Sequence, residues 1–224
     1  MLNKPGHKKR WQLLYAVAIV ASLGLGVVLG AQQFSAASPL AAAQLLPAPK
    51  TLPEFTLENH RSEAVGVNVF RHRWSLVFFG FTSCPDFCPL ELQKLAKLLN
   101  LMGAGDELQV VFVSVDPERD GQEKLANYVG FFHPQILGLR GSNLALANFA
   151  QFFGAAYDRS AIVESKLITI PAGINLPTNV GEQYQVNHST RVFVVNPQGE
   201  FIGSFTSPYE LEEMLSDMQK LMGR

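Results

Sequence analysis

Two apolar runs of strand length, WSLVFFGF over residues 74–81 and LQVVFVSV over 108–115, do most to limit what this chain can fold into. Neither carries a charge, and runs of this kind read as strands buried on both faces. Between them a helical stretch runs from Pro89 to about Met102. A strand, a helix and a second strand of these lengths imply a right-handed parallel crossover, and so an α/β domain with a buried parallel sheet.

The corner between the first strand and that helix reads Cys84-Pro85-Asp86-Phe87-Cys88-Pro89 and holds both cysteines of the 224-residue chain. Pro89 suits the first helical position, and Glu91 stands three residues after Cys88 as in a capping box. This predicts Cys88 as the N-cap, its sulfur at the positive end of the helix dipole and biased toward thiolate. Pro85 fits the second position of a type I turn beginning at Cys84, which would fold the first sulfur back toward the second at an exposed corner. Three uses compete for such a pair. A structural disulfide here closes so short a loop that it restrains little of the unfolded chain. Thiol–disulfide chemistry and metal binding both stay open on spacing alone, because the usual redox motif has two intervening residues and this one has three.

The amino-terminal part has another character. Residues 1–10 form a basic tail with Lys4, Lys8, Lys9 and Arg10, and residues 11–31 are uncharged and apolar, long enough to cross a bilayer. The basic flank predicts a single-pass inner-membrane anchor with the carboxyl-terminal domain on the periplasmic side. The alternative, a signal peptide cleaved near Ala41-Ala42-Ala43, fits less well, since the apolar run exceeds a signal core. Residues 32–53, rich in Ala, Pro, Ser and Gln, read as a flexible linker, and 54–224 as one domain. Setting aside the four basic residues of the tail leaves 14 Lys and Arg against 19 Asp and Glu, which argues against a nucleic-acid partner.

Along the domain, residues 54–57 and 65–70 predict a leading hairpin, with His60 and His72 solvated near its turn and end. Asp116 follows the second buried strand, at the sheet edge where α/β folds place ligands, and also suits a turn before Pro117. Asp120 and Glu123 form a capping box for a helix over 121–131. A short strand over 136–139 and a helix over 143–153 follow, the latter with Phe149, Phe152 and Phe153 on its core side. Residues 154–182, broken by Pro171, Gly173, Pro177 and Gly181, form an insertion or hairpin. Strands at 191–195 and 200–205 pair across Asn196-Pro197-Gln198-Gly199, and an amphipathic helix runs from Pro208 to about Met222. This order is that of a thioredoxin-like domain, in which the loop before the last hairpin, here residues 184–190, faces the cysteine corner. His188 lies in that loop. Two thiolates and an imidazole would make a three-donor site suited to Cu(I), which soft sulfur ligands select.

At this point the chain resembles the Sco (SenC) family, membrane-anchored thioredoxin-like proteins that assist assembly of the copper centre of cytochrome c oxidase. The resemblance rests on FGFTSCPDFCP at 79–89, SVDPERD at 114–120, FHP at 132–134 and VNHSTRVFVVNPQGEFIGSF at 186–205. It implies Cys84, Cys88 and His188 as copper ligands, for Cu(I) or Cu(II), and places Asp116 and Asp120 in the family's acidic loop as possible secondary residues. The implied function is a copper chaperone whose acceptor is an apo copper protein, cytochrome c oxidase subunit II. A thiol–disulfide reductase that keeps the acceptor's cysteines reduced is the alternative. A thiol reductant is a further implied partner. Asn187 departs from the Asp common before the family's histidine, and residues 166–181 differ from its usual acidic segment. Neither departure removes a ligand. A catalytic zinc site is the most distant reading, since no general base lies nearby in the sequence.

Overall fold

The computed structural model describes residues 40–103 and 105–224. The basic tail, the expected membrane span over 11–31 and the first part of the expected linker lie outside them. No helix among the described residues is long and apolar enough to cross a membrane.

The strands are β1 (Ala43–Thr51), β2 (Leu57–Asn59), β3 (Ala64–Val65), β4 (Trp74–Gly80), β5 (Leu108–Ser114), β6 (Ile136–Arg140), β7 (Tyr157–Val163), β8 (Lys166–Pro171), β9 (Tyr184–His188), β10 (Arg191–Val195) and β11 (Glu200–Thr206). The helices are α1 (Phe87–Met102), α2 (Gln122–Phe132), α3 (Asn143–Phe153) and α4 (Leu211–Leu221). Eight strands form one sheet in the order β1-β11-β10-β4-β5-β6-β2-β3, and β8-β7-β9 form a second, smaller sheet. β4, β5 and β6 run parallel, as the two uncharged runs require. Their side chains are buried on both faces: Phe79 meets Phe149 and Phe153 of α3, while its neighbour Phe78 meets Phe87 and Phe112 on the opposite side. This is the thioredoxin-like α/β arrangement expected, with the leading hairpin present as β2 and β3. The second half of that hairpin is shorter than its sequence suggested, because residues 67–70 turn into a 3-10 helix.

Two expectations are corrected. Residues 43–51 of the expected linker are the edge strand β1, antiparallel to β11. Backbone pairing rather than an apolar face holds it. The backbone N–H groups of Ala41, Ala42 and Ala43 donate to the buried Asp217 carboxylate of α4 at 2.7–2.8 Å. Pro47 and Pro49 are tolerated because the register shifts between Leu45 and Lys50 and the strand is at the edge. β11 comes so close that a Cβ on Gly203 would run into the Gln44 carbonyl. The loop expected over 184–190 is likewise a strand as far as His188, with Tyr184 and Val186 buried and Gln185 and Asn187 exposed in strict alternation. β9 pairs with β7, placing His188 opposite Tyr157. The 154–182 segment is thus the β7–β8 hairpin and its return to β9.

Candidate metal centre

β4 delivers the cysteine corner at the carboxyl end of the parallel strands. The turn there closes three residues earlier than the sequence suggested, over 81–84, with the Cys84 N–H donating to the Phe81 carbonyl at 3.3 Å. α1 begins at Phe87 after Asp86, which makes no side-chain cap bond. Cys88 is therefore the second residue of the helix rather than its N-cap. Glu91 does not complete a capping box; it is buried and accepts the Tyr209 hydroxyl proton across the α1–α4 seam. Burial in that seam outcompetes the local cap.

The two thiols differ. Cys84 is half-buried, Cys88 is fully enclosed, and both are free. A Cβ on Gly80 would sit 2.8 Å from the Cys88 sulfur and 2.8 Å from Phe112, so the glycine is what admits this sulfur against the sheet. The expected bias toward thiolate is overturned. Burial pushes the Cys88 thiol far above its usual range; the hydrogen bond with Phe81 opposes this, and Cys84 and Asp120 add to it. A helix terminus contributes about 0.3–1 kcal/mol, which desolvation of a fully enclosed sulfur exceeds.

His188 completes the set. Only Ser189 and Thr190 separate β9 from β10, and β10 pairs directly with β4, so the imidazole is carried to the cysteine corner. Its Nε2 is 3.3 Å from the Cys88 sulfur and its Nδ1 is 2.9 Å from the Ser189 carbonyl. That carbonyl requires the proton on Nδ1, which leaves the Nε2 lone pair directed at the sulfurs. Burial lowers the imidazole's pKa, with backbone contacts to Ser189 and Phe79 opposing it. Phe78, Phe81 and Phe87 surround the ring with centroids 5.8–6.4 Å away. The candidate ligand atoms of Cys84, Cys88 and His188 all lie within 4.8 Å of one another.

Asp116 and Asp120 do not join them; among the described residues the cluster able to hold a metal comprises those three side chains. Asp120 is not a helix cap either: α2 starts after Gly121 without a side-chain cap bond. Its buried carboxylate accepts from the Thr82 N–H at 2.8 Å, the Thr82 hydroxyl at 2.5 Å and the Ser114 hydroxyl at 2.7 Å, with Lys124 at 3.7 Å. Asp116, also buried, is more than a turn residue. It accepts from Arg119 Nε at 2.5 Å and from the Tyr184 hydroxyl. Burial raises its pKa, and the bonds from Tyr184 and Arg119 work against that. Sequence reasoning missed Thr82, Arg119 and Tyr184. The one visible signal was Tyr184, four residues before His188 and hence on the same face of a strand. His60, expected to be solvated, accepts the Gly138 N–H at 3.0 Å far from this corner and joins no metal cluster.

A thioredoxin-like domain presenting two cysteines and a histidine as convergent donors is the class that this fold and site define. Residues 43–223 match the SCO1/SenC family, and the chain belongs to it. The mitochondrial protein SCO2 homolog of Homo sapiens is 35% identical over 172 residues, which cover 75% of this chain and 59% of that protein. The chain thus spans about three fifths of that relative's length. Among solved structures, apo Sco1 from Thermus thermophilus is 33% identical with a TM-score of 0.65, covering 80% of this chain and 95% of the other. Yeast Sco1 with copper bound is 27% identical with a TM-score of 0.65, covering 78% and 90%.

Proposed function

We propose that the protein is a membrane-anchored copper chaperone, holding one copper ion through Cys84, Cys88 and His188 and passing it to an apo copper protein, cytochrome c oxidase subunit II. The span over 11–31 anchors it in the inner membrane with the domain on the periplasmic side. The observation that carries the reading is the convergence of two sulfurs and one imidazole nitrogen within 4.8 Å, none of them engaged in a disulfide. Family membership and the copper-bound yeast Sco1 support it.

The donors suit copper as cargo. Thiolate sulfur and neutral imidazole are soft to borderline ligands, the set that favours Cu(I) over hard cations. His188 offers a lone pair without losing a proton. Cys84 and Cys88 must each lose one, so uptake releases protons, and affinity rises with pH until the thiols are deprotonated without the metal. Cys88 is enclosed, while half-buried Cys84 and His188 leave an approach for the acceptor's competing ligands.

Anaerobic Cu(I) titration of the reduced full chain, followed by X-ray absorption, tests this. One equivalent in a two-sulfur, one-nitrogen environment is expected, with none at this site once the cysteines are oxidised to a disulfide. Equal uptake by reduced and disulfide-locked protein would remove Cys84 and Cys88 as ligands. The adjacent free thiols also favour a second reading, a thiol–disulfide reductase that keeps the acceptor's cysteines reduced and is itself recharged by a thiol reductant. It needs no histidine ligand, so His188 separates the two.

A further inference from the structure

We infer that the loop 116–120 is the positioning element of the metal centre, its two buried carboxylates each holding one half of the donor set: Asp120 the cysteine corner through Thr82, and Asp116 the histidine strand through Tyr184. The inference rests on the metal reading above.

The loop is closed on itself. The N–H groups of Arg119 and Asp120 donate to the Asp116 carbonyl at 3.2 and 2.9 Å. The Ser114 hydroxyl donates to Asp120 at 2.7 Å while accepting the Asp116 N–H at 3.3 Å. The loop is continuous with β5, whose pairing with β4 is extended by the Val115 N–H on the Gly80 carbonyl at 2.9 Å. From this fixed base the carboxylates reach in two directions. Asp120 takes both the N–H and the hydroxyl of Thr82, two residues before Cys84. Asp116 takes the Tyr184 hydroxyl, and Arg119, bound to Asp116, donates to the Tyr184 carbonyl at 3.1 Å and lies 3.9 Å over its ring. Tyr184 is thus gripped at hydroxyl, ring face and carbonyl, on the same face of β9 as His188.

The short link from β9 to β10 carries His188 to the corner, and the loop adds a second hold on donors that come from different sheets. The cysteines follow β4 of the large sheet, and His188 ends β9 of the small one. A ligand set is effective only when its members are held to within about 0.5 Å of the required geometry. Neither carboxylate competes for the metal, since both are consumed in holding protein groups.

The test uses the full chain as Tyr184→Phe and Thr82→Val, with Cu(I) competition against a chelator, X-ray absorption, exchange with a small dithiol and the thermal midpoint of the apo form. Tyr184→Phe is expected to lower copper affinity about tenfold and weaken the nitrogen contribution around copper, with dithiol exchange unchanged. Thr82→Val is expected to disturb the sulfur contribution and the exchange rate, and Thr82→Ser, which keeps the hydroxyl, to restore the parent behaviour. Parent affinity and donor environment in both Tyr184→Phe and Thr82→Val would overturn the inference while leaving the metal reading intact. So would a common fall in thermal midpoint with unchanged donors, the signature of mere structural support. A parent chain that binds no copper, or a His188→Ala variant that binds it as tightly as the parent, defeats the metal reading itself.

Discussion

The two halves of the donor set are built by different means. The cysteine corner grows out of the most buried part of the molecule, where β4 lies between β5 and β10 and Gly80 leaves no space between the Cys88 sulfur and Phe112. The histidine stands at the end of β9 in a three-stranded sheet whose outer surface is solvated, with Ile162 and Leu167 facing each other across the β7–β8 hairpin and each 74% exposed. Packing dominates in the first half, with the Asp120–Thr82 bonds added to it, and directed hydrogen bonds through Tyr184 dominate in the second. Packing is insensitive to single polar changes and intolerant of volume, whereas directed bonds behave the opposite way.

The largest effect should come from separating the halves chemically. Cys84→Ser or Cys88→Ser is expected to abolish both copper retention and dithiol exchange. His188→Ala should lower Cu(I) affinity at least about a hundredfold, the upper end of what losing an outer hydrogen-bond partner costs a metal site, yet leave dithiol exchange intact. Chelator competition and exchange rates measure both. Unchanged affinity and normal oxidase assembly in the histidine variant would leave the reductase standing.

Next comes volume in the packed half. Gly80→Ala adds one carbon where the Cys88 sulfur and Phe112 already stand 2.8 Å away, so a loss of about 1–3 kcal/mol is expected by chemical denaturation. Dithiol exchange should change with it. A neutral result would mean that the corner yields as readily as the histidine strand.

A third change strikes the large sheet away from the donors. For Asp217, burial alone would raise the pKa; the N–H groups of Ala42, Ala43 and Ala41 and the charge of Lys220 reverse this and lower it. A carboxylate with a depressed folded-state pKa contributes stability that is fully present above the unfolded value of about 3.9 and is lost as pH falls through the folded value. Asp217→Asn should therefore cost about 2 kcal/mol at neutral pH, and the gap from the parent should close in acid. Thermal melts across pH read this, with the variant's copper affinity equal to the parent's at each pH. The smallest effect is expected on the solvated face of the small sheet, where Ile162→Ser should stay within about 0.5 kcal/mol and leave copper binding alone.

The packed half was also the legible one. Uncharged runs of eight residues can hardly be anything but buried strands, and the thioredoxin-like order that follows from them brings His188 within reach of the two cysteines. What the sequence hid was held by hydrogen bonds. The capping boxes at Cys88 and Asp120 were plausible locally, but Glu91 and Asp120 are buried, and a buried carboxylate goes to the strongest donors within reach, here Tyr209 and Thr82. Nothing in a linear pattern names those partners. β9 hid for a related reason: alternation in YQVNH is present, but its polar members resemble a loop. β1 hid because an edge strand needs neither apolar side chains nor the absence of proline.

That edge strand has a consequence for the solubility of the domain. β1 covers the outer rim of β11 from Glu200 to Phe205, so the row of amides and carbonyls there never meets another chain. A chain trimmed to begin at Glu54, as composition alone would advise, loses that cover and presents β11 as an open rim, flat at Gly203 and flanked by Phe201 and Phe205. An uncovered rim is a template for strand addition, and the nearest supply is the same rim on another copy. Self-association on trimming at Glu54, and its absence on trimming at Leu40, would show that the segment resembling a tether is a guard against aggregation.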